Sequence, residues 1–212
     1  MSDLAYYVGP PAAPGPGVLL LHSWWGLTPF FKNVADRLAD EGYTVMAPDL
    51  NQGEVFDVAS EAERHLADMN ADHLARLTLS SARMLAQRGR DERISVVGFS
   101  MGASLGLWAS VRLPDVIDSV SAFYGVQSID FAGSRAAYQV HLADDDPLVP
   151  EDDAVFMEAT MGLVERPVDV FRYPGTSHWF FESDRFEYDP GAGAVAWGRM
   201  IEFLGFHATR RS

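Results

Sequence analysis

The sequence predicts an α/β fold with a mostly parallel central sheet and helices on both faces. Three observations carry that prediction. Short, wholly apolar runs bounded by turn residues recur along the chain, and such runs fit strands buried on both faces. Longer stretches with helical spacing and helical start and stop residues lie between them. The two kinds of segment alternate, which implies right-handed crossovers and parallel strands.

Pro10 to Gly17 is rich in proline and glycine and reads as a loop, after which Val18-Leu19-Leu20-Leu21 forms the first strand. A helix follows, with Thr28 as N-cap, Pro29 at the first helical position, Val34 and Leu38 on one face and Gly42 at the end. Thr44 to Ala47 is the second strand. From about Val58 to Arg88 the chain is rich in Ala, Leu, Arg and Glu, which predicts one or two helices ending before Gly89. Arg93 to Val97 is the third strand, followed by a helix from Met101 to Arg112. Strands within Ile117 to Phe123 and Tyr138 to Ala143, a helix after Pro150, a strand at Val168 to Tyr173 and a helix within Ala192 to Leu204 complete the pattern. No internal repeat, linker or low-complexity segment interrupts it. The 212 residues predict one domain over 1–212, against a norm of roughly 100 to 200 residues per domain.

Charge narrows the partners. A net charge of −14 repels nucleic-acid phosphates and anionic lipid surfaces, both of which require clustered Lys and Arg. Nucleic-acid and membrane partners are therefore not expected, and a small-molecule partner is. There is no cysteine, so disulfides, thiolate nucleophiles and cysteine-held metals are impossible. The N-terminal MSDLAYYVGP lacks the basic and apolar regions of a secretory signal, and no long apolar run appears, which points to a soluble, cytoplasmic protein.

The stretch VVGFSMGASLG contains G-x-S-x-G twice, in frames sharing Gly102. In a strand–turn–helix setting this motif puts the serine on a sharp turn at the carboxyl edge of the sheet. Ser100 lies just after the strand, whereas Ser104 would lie one turn into the helix, so Ser100 is the candidate nucleophile. The chain order Ser, Asp or Glu, His then requires an acid and a base downstream. His178, in the turn Tyr173-Pro174-Gly175-Thr176-Ser177-His178 after the last strand, is the candidate base. The acid lies in Asp144-Asp145-Asp146, where three aspartates compete. With Glu151, Asp152 and Asp153 the cluster is acidic enough to suggest calcium, but the glycine and ligand spacing of a calcium loop is missing. Acids at a helix N-terminus are in any case favoured by the dipole. His65 and His73 lack a matching carboxylate pattern, so no metal and no cofactor is expected.

These pieces resemble the dienelactone hydrolase family of α/β-hydrolases over nearly the full chain, from about Val18 to Leu204. The matching segments are His22-Ser23-Trp24-Trp25-Gly26, Ala47-Pro48-Asp49-Leu50, Gly98-Phe99-Ser100-Met101-Gly102, Asp146-Pro147-Leu148-Val149-Pro150 and Tyr173 to His178. The resemblance implies an α/β-hydrolase fold and a hydrolase; the chain has no insertion long enough for a large lid domain, and Ser100 makes the expected enzyme a serine hydrolase or esterase. The resemblance also places the acid on Asp146, with Asp145 second, and implies an oxyanion hole from the backbone N–H groups of Trp24 and Met101. The family's name-giving enzymes have a cysteine nucleophile and, in the loop after the first core strand, a glutamate; those positions here hold Ser100 and Ser23. They also bind a substrate carboxylate with arginines, one shortly after the histidine, where this chain has Trp179-Phe180-Phe181-Glu182. Trp24, Trp25, Phe99, Phe30 and Trp179 are therefore expected to line a pocket for an uncharged ester or lactone.

Other readings fit less well. Gly98 and Gly102 faintly resemble a dinucleotide phosphate turn, but Ser104 replaces the third glycine and the motif lies mid-chain. Lys32, the only lysine, has Thr28 where a Tyr-x-x-x-Lys pair needs tyrosine. A non-catalytic binding module on the same fold, or an acyltransferase or thioesterase using the same three residues, remain as alternatives.

Overall fold

The computed structural model describes residues 5–163 and 167–210. Among them, seven strands form one sheet: β1 Ala5–Val8, β2 Gly17–Leu21, β3 Thr44–Pro48, β4 Ile94–Phe99, β5 Ile117–Phe123, β6 Ala137–Asp145 and β7 Val168–Ser177. Their spatial order is β1-β3-β2-β4-β5-β6-β7. β2 to β7 run parallel, as expected, and β1 pairs antiparallel with β3 at one edge. β1 was not foreseen from sequence. Its Ala-Tyr-Tyr-Val run is half-exposed and is held on one side only, so its formation depends on β3 being in place.

The helices are α1 Pro29–Asp40, α2 Ala59–Asp68, α3 Ala71–Arg88, α4 Met101–Arg112, α5 Glu151–Gly162 and α6 Pro190–Thr209. The long helical stretch divides in two at Asn70, whose side chain caps α3 by accepting from the His73 N–H.

Alternation along the strands sorts the core into two layers. Val18 and Leu20 of β2 face α1 and α6, packing with Phe31, Val34, Leu38, Met200 and Leu204. Leu19 and Leu21 face α3, α4 and α5, packing with Leu85, Leu107 and Met157. β4 divides in the same way, with Ile94 and Val96 on one side and Val97 and Phe99 on the other. All four of these β4 side chains are fully buried, each contributing about 1.5–3 kcal/mol relative to exposure. Because both faces are covered, the runs are continuously apolar rather than alternating with polar residues. No helix among the described residues is long and apolar enough to cross a membrane.

The strand order reverses direction between β2 and β4: from β2 the chain moves to β3 on one side, and from β4 it moves to β5 on the other. The crevice above such a switch point is where open α/β sheets hold ligands. Here it is closed from beneath by direct backbone contact. A Cβ on Gly102 would lie 2.3 Å from the Leu21 carbonyl oxygen and 2.6 Å from that of His22, and one on Gly98 would lie 2.5 Å from the Gly102 oxygen. Helix α4 can leave β4 this tightly only because both positions lack side chains.

A Cβ on Gly106, further along α4, would have Val120 and Leu21 methyls at ordinary contact distance and would press closely on the Cγ1 methyl of Val96 alone, at 2.8 Å. Gly102→Ala is therefore expected to lower stability in urea by about 3 kcal/mol, the upper end for overpacking. For Gly106→Ala, movement of that methyl and the gain in helix propensity of about 1 kcal/mol should leave a much smaller loss. Equal losses would contradict the backbone-contact account.

Candidate active site

Four residues take up corresponding positions, each directly after the end of its strand: Ser100 after β4, Tyr124 after β5, Asp146 after β6 and His178 after β7. The register pairs Phe99 with Phe123 and Phe123 with His141, so β6 continues four residues past the end of β5. β7 follows it, pairing Asp145 with Ser177 after a bulge. The projecting β6–β7 pair carries Asp146 and His178 beyond the sheet edge, within reach of Ser100.

Ser100 has φ 53° and ψ −116°, a conformation rarely adopted by residues with side chains. Such strain costs of order 1–3 kcal/mol and must be held by its surroundings. The Ser100 N–H donates to the Phe123 carbonyl at 2.9 Å, and the close backbone contacts of Gly98 and Gly102 flank the turn. His178 Nε2 lies 2.8 Å from Ser100 Oγ, and Nδ1 lies 2.8 Å from each carboxylate oxygen of Asp146. With Nδ1–H donating to Asp146, Nε2 is left as the acceptor for the serine O–H. Both partners are nearly inaccessible, at 3% and 6% side-chain exposure, so the pair is shielded from water. Asp146 Oδ1 also accepts from the Leu148 N–H at 3.0 Å. Asp144 and Asp145 are exposed, and Asp144 instead accepts from the Gly175 N–H. Ser104 lies one turn into α4, its hydroxyl donating to the Val126 carbonyl at 2.8 Å.

The loop after β2 carries Trp24 and is held by its own polar contacts. His22 Nδ1–H donates to the Ser23 carbonyl at 2.7 Å, while Nε2 accepts from the Leu50 N–H at 2.9 Å. Asn51 Nδ2 donates to the Trp24 carbonyl at 2.9 Å. Burial lowers the pKa of His22 to about 4, so it keeps the neutral form that these bonds require. The Trp24 N–H has no acceptor among the described residues. That of Met101, at the first position of α4, has no intrahelical acceptor. The contact of Gly102 with the Leu21 and His22 carbonyls brings the two segments together.

The expected pocket aromatics separate into two groups. Phe99 is fully buried, stacked on Phe123 at 4.7 Å and packed against Phe31 and Phe181, because alternation along β4 turns it into the α1–α6 layer. It does not face the crevice. Phe30 is half-buried against Phe31 and Phe181. Trp24, Trp25 and Trp179 instead cluster beside the site, with ring centroids 5.1 to 5.6 Å apart. Trp179 also meets the His178 ring edge-on at 4.8 Å. Trp25 is buried, with the Arg185 guanidinium 4.3 Å above its ring.

Sequence reasoning did not link three further residues. The Glu182 carboxyl group is fully buried, Oε2 accepting from the Ser23 hydroxyl at 3.0 Å and Oε1 from the Tyr124 hydroxyl at 2.8 Å. Burial raises its pKa to about 8, although the two hydroxyl bonds oppose the rise. Tyr124 has φ 37°, and its ring lies 4.9 Å from that of His178. Its place directly after β5, matching Ser100, Asp146 and His178, is the sequence signal that could have found it.

A strained serine at the switch point of a mostly parallel sheet, joined to a histidine and an aspartate, defines an α/β-hydrolase. Comparison with known proteins agrees and is more specific. The chain belongs to the dienelactone hydrolase family, whose model matches residues 4–208, and it is an esterase-like hydrolase. It is 29% identical to protein usf of Aquifex pyrophilus, over 96% of this chain and 93% of the relative. It is 27% identical to an Aquifex aeolicus protein provisionally named a carboxymethylenebutenolidase, over 93% and 91%. Among solved structures, a promiscuous phosphotriesterase resembling dienelactone hydrolases, from metagenomic libraries, superposes with a TM-score of 0.79 at 22% identity, over 92% and 88%.

His141 is a second buried histidine, between the Tyr173 hydroxyl at 2.7 Å and Gln139 Oε1 at 2.9 Å; burial, and secondarily Arg199, lower its pKa to about 3. Both folded pKa values lie below the unfolded value of about 6.5, so the unfolded state binds more protons between them. The stabilisation these two neutral rings provide is full above about pH 6.5 and is lost as the pH falls toward 4 and then 3. In histidine-detected NMR, the resonances of His22 and His141 should stay unchanged from pH 8 down to 5. A midpoint near 6.5 for either would show that its ring is not sealed in the neutral form.

Proposed function

We propose that the protein hydrolyses small, uncharged carboxylic esters or lactones through an acyl-enzyme, using Ser100, His178 and Asp146. The observation that carries this reading is the unbroken chain of short contacts from Asp146 through His178 to Ser100 at the switch point of the sheet.

In this reading the Ser100 hydroxyl attacks the ester carbonyl carbon while its proton passes to His178 Nε2. A serine has no accessible anion near neutral pH, so this transfer must accompany attack. Asp146 holds the Nδ1–H tautomer and stabilises the imidazolium. Charge developing on the carbonyl oxygen meets the N–H groups of Trp24 and Met101, each such donor contributing about 2.7–4 kcal/mol in comparable sites. As the tetrahedral intermediate collapses, the bond to the leaving alcohol breaks and His178 returns its proton to that oxygen. Water then repeats the sequence on the acyl-enzyme, releasing the acid and restoring the Ser100 hydroxyl.

Substrate charge follows from the same surroundings. The Aquifex aeolicus relative's name points to a lactone bearing a carboxymethylene group, and binding such an anion calls for a free cation. The arginine near this site, Arg185, is engaged with Asp184 and stacked on Trp25. The whole chain is also strongly acidic. The tryptophan cluster suits an uncharged, partly apolar substrate.

Fluorophosphonate treatment should add one adduct to the wild type and to Ser104→Ala but none to Ser100→Ala, read by intact-protein mass spectrometry. Asp146→Asn should remain folded and lose about 10³- to 10⁴-fold in kcat, through the wrong histidine tautomer. Undiminished turnover in Asp146→Asn would assign the acid elsewhere. Against a neutral short-chain p-nitrophenyl ester, kcat/KM should exceed that for a carboxylate-bearing lactone by about tenfold or more, the cost of one unpaired charge contact. The reverse preference would overturn the uncharged-substrate reading.

A further inference from the structure

Glu182 is the one acid in the site that the proposed reaction leaves without a role, yet the fold invests heavily in it. It is fully buried, and its two oxygens accept from hydroxyls on two different loops. Burying a carboxyl group is costly unless it is paired. Removing this one and filling its place with an apolar side chain would simplify the core.

Its two partners are not arbitrary. Ser23 directly precedes Trp24, the proposed oxyanion donor, and Tyr124 has a strained backbone and presents its ring 4.9 Å from that of His178. Glu182 itself closes the turn that begins at Trp179, directly after His178, its N–H donating to the Trp179 carbonyl. The same two loops are joined again by the Thr28 hydroxyl donating to Asp184 and by Arg185 over Trp25. The carboxyl group therefore lies where the oxyanion loop, the histidine loop and the segment behind the histidine meet.

We infer that Glu182 is a positioning residue for acyl transfer: by tying the Ser23 hydroxyl to the Tyr124 hydroxyl, it sets the spacing between the Trp24 N–H and the His178 ring. The inference rests on the proposed roles of Ser100, His178 and Trp24. Glu182 touches neither substrate nor serine in this scheme, and it acts through the two hydroxyls.

The tether depends on its ionisation. An ionised carboxylate accepts from both hydroxyls, whereas the neutral acid turns one oxygen into a donor and weakens one of the two ties. The charged form also favours a nearby imidazolium. The other groups around it are Asp184 and Arg185 on its own turn, Asp146 and His178 from the β6 and β7 ends, Tyr124 after β5, and Ser23 with neutral His22 after β2. Of these, Asp184 disfavours its ionisation and Arg185, Tyr124 and Ser23 favour it. In the wild type, kcat should therefore rise through an upper inflection near pH 8.

Glu182→Gln keeps the shape and cannot ionise. With purified protein and a neutral p-nitrophenyl ester, it should lower kcat about 10- to 100-fold, the penalty for a small misplacement of reacting groups, with KM changed little. The upper inflection should vanish, and at pH 9 thermal stability should equal or exceed the wild type because a buried charge is gone. Ser23→Ala and Tyr124→Phe each remove one bond that favours the ionised form, so each should lower kcat and move the upper inflection to higher pH. They serve also if Glu182→Gln fails to fold. Unchanged kcat and pH profile, or lower kcat with the wild-type pH profile, would overturn the inference while fluorophosphonate labelling of Ser100 leaves the triad reading standing. A wild type that is not labelled at Ser100 overturns both.

Discussion

The structure depends on one close contact, the first turn of α4 lying directly on the carbonyls that end β2. Everything above the sheet edge takes its position from it. It forces Ser100 into a positive-φ turn and sets the N-terminus of α4 beside the loop of Trp24. Two segments distant in the sequence are thereby brought into backbone contact. Strain at Ser100 is sustained by the hydrogen bond from its N–H to the β5 end and by packing of α4 through Ala103 and Leu107 into the core.

A second constraint is the low polarizability of the interior beneath the site. Burial moves His22 and His141 toward the neutral form and Glu182 toward the protonated one. Desolvation is the leading cause in all three. The effects on stability run in opposite directions, since the neutral histidines favour the fold at higher pH and the neutral acid favours it at lower pH. The buried charges kept at the site are thus few and placed where hydroxyl or imidazole partners meet them.

The aromatic residues show how one composition serves two purposes. Phe31, Phe99, Phe123 and Phe181 interlock below the sheet edge and are core. Trp24, Trp25 and Trp179 form a collar beside His178, braced from outside by Arg185. Which ring joins which group depends on strand alternation and loop path rather than residue type.

Much of this was legible in the chain itself. Apolar runs, helix caps and the G-x-S-x-G turn depend on neighbouring residues, so they pointed to six of the strands, the helical segments, a sharp turn at Ser100 with Ser104 inside the helix, and a turn at His178. The family motifs added Asp146, which the bare run of three aspartates left open. Tertiary structure decided the rest. β1 exists because β3 offers it an edge, Phe99 is core because β4 turns alternate residues to opposite layers, and Asp146 and His178 together reach Ser100 because the paired β6 and β7 outrun β5. The meeting of Ser23, Tyr124 and Glu182 is a contact among residues up to 159 positions apart, and local sequence carries no record of such contacts because they are set by how the elements pack.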